Sequence, residues 1–175
     1  MKHAALSLCA FAILSGCATT AGDGTERVRL IDPALQGSPI GQCSRAGPDA
    51  PGGYFRPVAA EITALETALA KELDIYRASR GPDVPLAPDD RPFEFLSDPE
   101  SYVREYLGYA EGGRRKIYGN FMPLETAPER SDNLTVICDG GSQFFGVEYD
   151  IEARRITRIA FNGFLRPVAV SRPAP

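Results

Sequence analysis

Residues 102–121 read YVREYLGYAEGGRRKIYGNF, and this stretch decides the fold. Taken alone, Tyr102 to Tyr109 fits either the end of a short helix or a strand. The glycine pair in Glu111-Gly112-Gly113-Arg114 supplies the positive φ angles of a tight hairpin. Beyond it, Lys116-Ile117-Tyr118-Gly119-Asn120-Phe121 offers a partner, which favours strand from Val103 onward. The pattern then repeats. Leu134-Thr135-Val136-Ile137-Cys138 is a β-branched run, and Asp139-Gly140-Gly141 turns the chain into residues 143–149. A reversal over 150–154 leads to a last strand over 155–161, ended by Asn162-Gly163.

Upstream of the hairpin, Ile62, Leu65, Leu69, Leu73 and Tyr76 recur at steps of three and four. That spacing makes an apolar stripe on one helix of about 20 residues. Pro57 suits its first turn, and Gly81-Pro82 stops it. Four prolines interrupt residues 82–92, and Phe93, Phe95 and Leu96 are expected to dock this connection on the core. Asp98-Pro99 suits the start of a further short helix. The expected fold class is therefore α+β: one long amphipathic helix on a four- to five-stranded antiparallel meander. The order of elements resembles cystatin-like folds, in which a single helix lies across an antiparallel sheet.

The amino-terminal stretch speaks of place. Met1-Lys2 opens an apolar run that ends at Leu14-Ser15-Gly16-Cys17. At this length the run falls short of the about 20 residues a bilayer-spanning helix needs, and it fits a signal-peptide core. An ordinary secretory signal or an uncleaved anchor is the alternative. The Leu-Ser-Gly-Cys ending resembles the lipobox of bacterial lipoproteins. That resemblance implies removal of residues 1–16 and acylation of Cys17, with palmitate among the usual chains. Two or more acyl chains hold a protein firmly on a membrane. Ala18, in the position where Asp favours inner-membrane retention, implies the outer membrane and a domain facing the periplasm. Residues 106–108, 117–121 and 138–141 are also similar to segments of small proteobacterial lipoproteins, a resemblance that brings no activity with it.

Processing at Cys17 would change the balance of groups. The whole chain has 19 Lys+Arg against 23 Asp+Glu, a formal charge of −4. Loss of Lys2 moves it further negative, which argues against a nucleic-acid partner. His3 is the single histidine and would leave with the signal. A histidine-free remainder has no Ser-His or Cys-His pair and no His-ligated zinc. Cys43 and Cys138 would then be left as an even pair, which in an oxidising compartment reads as a disulfide. Closing a loop of that length stabilises by roughly 4–5 kcal/mol in a chain-entropy estimate. Two unpaired thiols are the alternative.

Residues 17–56 are poor in large apolar side chains and read as a lipidated end and flexible tether. Residues 57–165 form the expected single α+β domain, and 166–175 a disordered tail. Glu148 and Asp150, two apart on a strand, and Asp139 across the preceding turn have the look of a glycosidase pair. Alternating polar residues are also what any half-exposed strand shows. Asp139-Gly-Gly-Ser-Gln lacks the regular oxygen ligands of a calcium loop, so neither cofactor nor metal is expected. Two basic clusters, Arg114-Arg115-Lys116 and Arg154-Arg155 with Arg158, flank hairpin turns and suit either anionic headgroups or solvated loop tips.

Phe144 and Phe145 must point to opposite faces of the sheet. A helix covers one face only, so Tyr106, Tyr118 and Phe144 are the expected interaction face, unless the tether or the 93–96 connection lies over it. These features suggest a non-enzymatic envelope lipoprotein, membrane-bound through its anchor, whose domain binds an envelope partner. Two alternatives remain. One is a carboxylate-dependent peptidoglycan enzyme. The other is an inhibitor of an envelope hydrolase. Lysozyme-inhibitor lipoproteins share a disulfide and a Cys-Asp-Gly-Gly-like turn, but their Ser-Gly-x-x-Tyr motif has no counterpart after Gly163.

Overall fold

The computed structural model describes residues 26–34, 40–43, 45–48, 52–79 and 94–163. In chain order its elements are β1 (Val28–Leu30), β2 (Tyr54–Phe55), α1 (Ala59–Ser79), α2 (Glu94–Ser97), β3 (Tyr102–Glu111), β4 (Arg114–Pro123), β5 (Phe145–Asp150) and β6 (Arg155–Phe161). Short 3-10 turns lie at Pro99–Ser101, Leu124–Thr126 and Gly141–Gln143. The hairpin β3–β4 forms as expected: Gly112 and Gly113 adopt φ of 58° and 78°, and Glu111 faces Arg114 across the turn.

The sheet has six strands and is mixed. Its order is β1-β3-β4-β5-β6, with β2 also on β3. β1 runs parallel to β3 opposite residues 104–106, and β2 runs antiparallel opposite residues 108–109. A purely antiparallel meander is therefore corrected. Both added strands come from residues 17–56, which were expected to be a tether. They share the outer edge of β3, whose backbone would otherwise offer unpaired donors and acceptors. Ile31 and Ile40 are buried, so this segment is part of the fold where it is described. Residues 1–25, with the signal and Cys17, and the tail at 166–175 lie outside the described residues, as do 80–93 with Phe93.

α1 follows from its own sequence. The Glu61 carboxylate reaches back to accept from the Val58 N–H at 3.0 Å, half of a capping box, so Pro57 stands just outside the helix. Ile62, Leu65, Leu69 and Leu73 are buried along its stripe against the sheet. Each such leucine contributes about 1.5–3 kcal/mol relative to exposure. Tyr76 remains exposed at the end of the stripe, its ring 6.4 Å from that of Phe161. Beneath α1, Tyr102, Tyr106, Phe121, Phe145 and Phe95 of α2 form an aromatic cluster. Phe121 and Phe145 stack at 4.6 Å with planes 5° apart.

The opposite face is also covered. Residues 26–34, 40–43 and 45–48 cross it beside the loop from Leu124 to Gly141, and a disulfide joins Cys43 to Cys138 with their Cα atoms 4.9 Å apart. Residues 134–138, expected to be a strand, join no ladder. Side chains satisfy this segment instead. Thr135 N–H donates to Glu105, Asn120 and Gln42 donate to the Thr135 carbonyl, and Asn162 donates to the Ile137 carbonyl. The β-branched run therefore lies extended over the sheet rather than inside it.

Candidate functional site

The pleat of β3 and β4 places Val103, Glu105, Leu107 and Tyr109 with Tyr118, Asn120 and Met122 on the face away from α1. Glu105 stands opposite Asn120 in the centre of that face and is fully buried. It accepts from Asn120 Nδ2 at 2.8 Å, Thr135 N at 2.8 Å and Thr135 Oγ1 at 2.7 Å. β1 places Arg29 opposite Glu105, with Nη1 3.6 Å from its carboxylate. A buried charge is costly unless paired and hydrogen-bonded, and Glu105 is both.

Arg45 lies in the same layer, 8 % exposed. Its guanidinium donates through Nε to Tyr118 Oη at 3.2 Å, through Nη1 to Asn162 Oδ1 and through Nη2 to Asn120 Oδ1. Asn162 in turn donates to the carbonyls of Ile137 and Asp139 at 2.8 and 2.9 Å. A continuous relay thus runs from Arg29 through Glu105, Asn120 and Arg45 to Asn162. Gly146, opposite Asn120, makes room for it. A Cβ there would stand 2.4 Å from Tyr118 Oη and 3.0 Å from Arg45 Nε. Gly146→Ala is accordingly expected to cost about 1–3 kcal/mol by overpacking, read as a fall in urea midpoint without change of slope.

A second cluster adjoins the first. Glu148 accepts from Tyr109 Oη at 2.9 Å and pairs with Arg158 Nε at 3.3 Å, while Arg158 also donates to the Gly47 carbonyl. On the helix side, Arg104 bridges Glu66 and Glu100 at 3.2 and 2.8 Å, and Tyr106 Oη donates to Glu66 at 2.6 Å.

Burial, and then the Glu66 carboxylate, pushes the Tyr106 phenol well above its ordinary value of 10.0. Burial and then Glu148 raise Tyr109. Burial raises Tyr118 against the opposing pull of Arg45. A phenol whose folded pKa lies above its unfolded one stabilises fully below pH 10, and loses that stability as pH rises past it. These three are expected to form tyrosinate together with unfolding, in one cooperative alkaline step of ultraviolet absorbance. A gradual rise at pH 10 from a still-folded chain would contradict this.

The expected interaction face is corrected. Tyr106, Tyr118 and Phe144 are all buried, and they do not share a face. Tyr106 lies under α1, whereas Tyr118 sits with Ile31, Ile40 and Leu134. Phe144 packs on Val103 and Met122 beneath Ile137 and Leu124. The covering loop and the amino-terminal residues fill the space that the sequence left open. Cys43 and Cys138 are brought together, and Cys17 lies outside the described residues.

Of the three candidate carboxylates, Glu148 and Asp150 are engaged, and Asp139 is exposed. Asp150 pairs with Arg114 Nε at 3.0 Å and caps the next turn through Ala153 N at 2.8 Å. Arg115 pairs with Glu61 and lies 4.3 Å over the Phe55 ring, and Lys116 pairs with Glu111. That basic cluster is neutralised within the fold. Among the described residues no group of His, Cys, Asp and Glu is arranged to hold a metal ion.

Sequence reading passed over Arg29, Arg45, Glu105, Asn120 and Asn162. The register set by Gly112-Gly113 already places Glu105 opposite Asn120, a polar pair between apolar neighbours. What such an arrangement can do is hold and orient a cation: the guanidinium meets neutral acceptors, and the carboxylate behind them is saturated. No protein-family model, curated protein or solved structure matches this chain.

Proposed function

We propose that this chain is a lipid-anchored module of the bacterial cell envelope, facing the periplasm from the outer membrane and binding an envelope partner rather than performing chemistry. The Cys43–Cys138 disulfide carries the reading, because such bonds persist in oxidising compartments. Leu14-Ser15-Gly16-Cys17 behind the basic Lys2 supports the anchor. The ties of Glu148 to Tyr109 and Arg158, and of Asp150 to Arg114, support binding over a carboxylate mechanism. The net charge of −4 and that compartment argue against a nucleic-acid partner.

Substituting Cys17→Ser is expected to abolish acylation and shift the protein from the membrane to the soluble fraction. Intact-mass measurement and membrane fractionation check this. Wild-type material that is unmodified, full-length and water-soluble would refute the anchor. For the binding role, cross-linking before detergent extraction is expected to recover a defined envelope partner. Recovery of the solitary chain would count against it.

A further inference from the structure

The acceptors around Arg45 are oriented by groups other than Arg45. Asn120 gives both of its amide donors away, to Glu105 at 2.8 Å and to the Thr135 carbonyl at 3.0 Å, which turns its Oδ1 toward the guanidinium. Asn162 gives both of its donors to the Ile137 and Asp139 carbonyls, with the same result. Tyr118 is fixed by its place on β4, and Gly146 opens the floor between them. The cradle is thus set by the sheet and its loop. Buried Glu105, one hydrogen bond further on and itself paired with Arg29, holds Asn120 in that orientation. A pre-oriented set of acceptors of this kind binds without an ordering cost.

The side chain that fills the cradle is attached differently. Arg45 belongs to a segment whose described residues, 40–43 and 45–48, contribute none of the helix-side core. Cys43, two positions earlier, ties this segment to Cys138, and both cysteines are exposed at the surface. Among the described residues the segment is otherwise held by Gln42 on the Thr135 carbonyl and the Ile137 N–H, by buried Ile40 and Pro48, by a hydrogen bond between the Tyr54 phenol and the Ile40 backbone, and by Arg158 on the Gly47 carbonyl.

We infer that Tyr118, Asn120 and Asn162 form a receptor for an arginine side chain of a partner protein, occupied in cis by Arg45 and freed when the Cys43–Cys138 disulfide is reduced. A dithiol supplies the two electrons. One of its thiolates attacks a cysteine sulfur and forms a mixed disulfide, expelling the other cysteine as thiolate. The second thiol then closes the reductant's own disulfide, and both cysteines leave as thiols. Loss of the bridge lets residues 40–48 withdraw Arg45 and expose the cradle. Three diverging acceptors match the fork of a guanidinium, whereas a lysine ammonium reaches them one at a time. The site stands whether or not Cys17 is acylated.

The test uses the full chain, with N-acetylarginine amide as probe and N-acetyllysine amide as control. Oxidised wild type is expected to bind neither. After reduction with dithiothreitol it is expected to bind the arginine probe about tenfold better than the lysine one. Reduced Asn162→Ala is expected to lose that preference. Amide hydrogen exchange is expected to show residues 40–48 losing protection on reduction while β3–β6 keep theirs. Oxidised Arg45→Ala is expected to bind the arginine probe without reduction. If that variant fails to fold, the reduced wild type decides alone. The inference is overturned if reduction leaves residues 40–48 protected and binding absent, or if it unfolds β3–β6 together with them.

Discussion

Replacing Glu105 by alanine is expected to destabilise the fold by about 3–5 kcal/mol, the range for breaking a buried ion pair by removing one partner. Arg29, 2 % exposed, would keep its charge with no carboxylate 3.6 Å away. The N–H and hydroxyl of Thr135 would lose their acceptor, and with them the covering loop would lose its main tie to the sheet. Glu105→Gln keeps the shape and one good acceptor, but turns an amide donor toward other donors, so about 1–3 kcal/mol is expected. Denaturant unfolding of both variants separates the effects. Equal losses would show that the charge itself contributes nothing.

Phe145→Ala is the second large loss, again about 3–5 kcal/mol. Its ring stacks on Phe121 and meets the rings of Phe95, Tyr102 and Phe161 at 5.9–6.3 Å, all under α1. No neighbour can close so central a cavity without leaving its own place. Phe144→Ala makes the comparison, since its neighbours on the other face are fewer, Val103 and Met122 chief among them. Thermal unfolding is expected to rank Phe145→Ala well below Phe144→Ala. The reverse order would mean that the covered face, rather than the helix-side cluster, dominates stability.

Those two adjacent phenylalanines show how far the sequence could be read. Their opposite orientations follow from the pleat, as does the helix from the step of three and four among Ile62, Leu65, Leu69 and Leu73. The Gly112-Gly113 turn fixes β3 against β4, so Glu105 opposite Asn120, two of the five residues of the buried polar site, follows from local pattern. The rest depends on distant pairings. Val28–Leu30 and Tyr54–Phe55 are too short for periodicity to reveal, and they become strands because β3 has an open edge. Leu134–Cys138 has strand composition, yet its hydrogen bonds go to Glu105, Asn120, Asn162 and Gln42, a substitution no single-segment pattern announces. Arg45 carries no local sign of burial, since the cradle that receives it comes from residues 118, 120 and 162.

The bond from Cys43 to a cysteine 95 positions later also sets a sequence of events in time. Local contacts form early and distant ones late, because the entropy of loop closure must be met first. The β3–β4 hairpin is therefore expected to nucleate, with β5 and β6 adding by short reversals. The earliest-synthesised described residues, 26–34, 40–43 and 45–48, are expected to settle last. Cys43 leaves the ribosome long before its mate and must wait as a thiol until most of the polypeptide has followed. Oxidation thus becomes a signature of completed folding, and a mature bridged molecule certifies that its amino-terminal segment has already met the loop between β4 and β5.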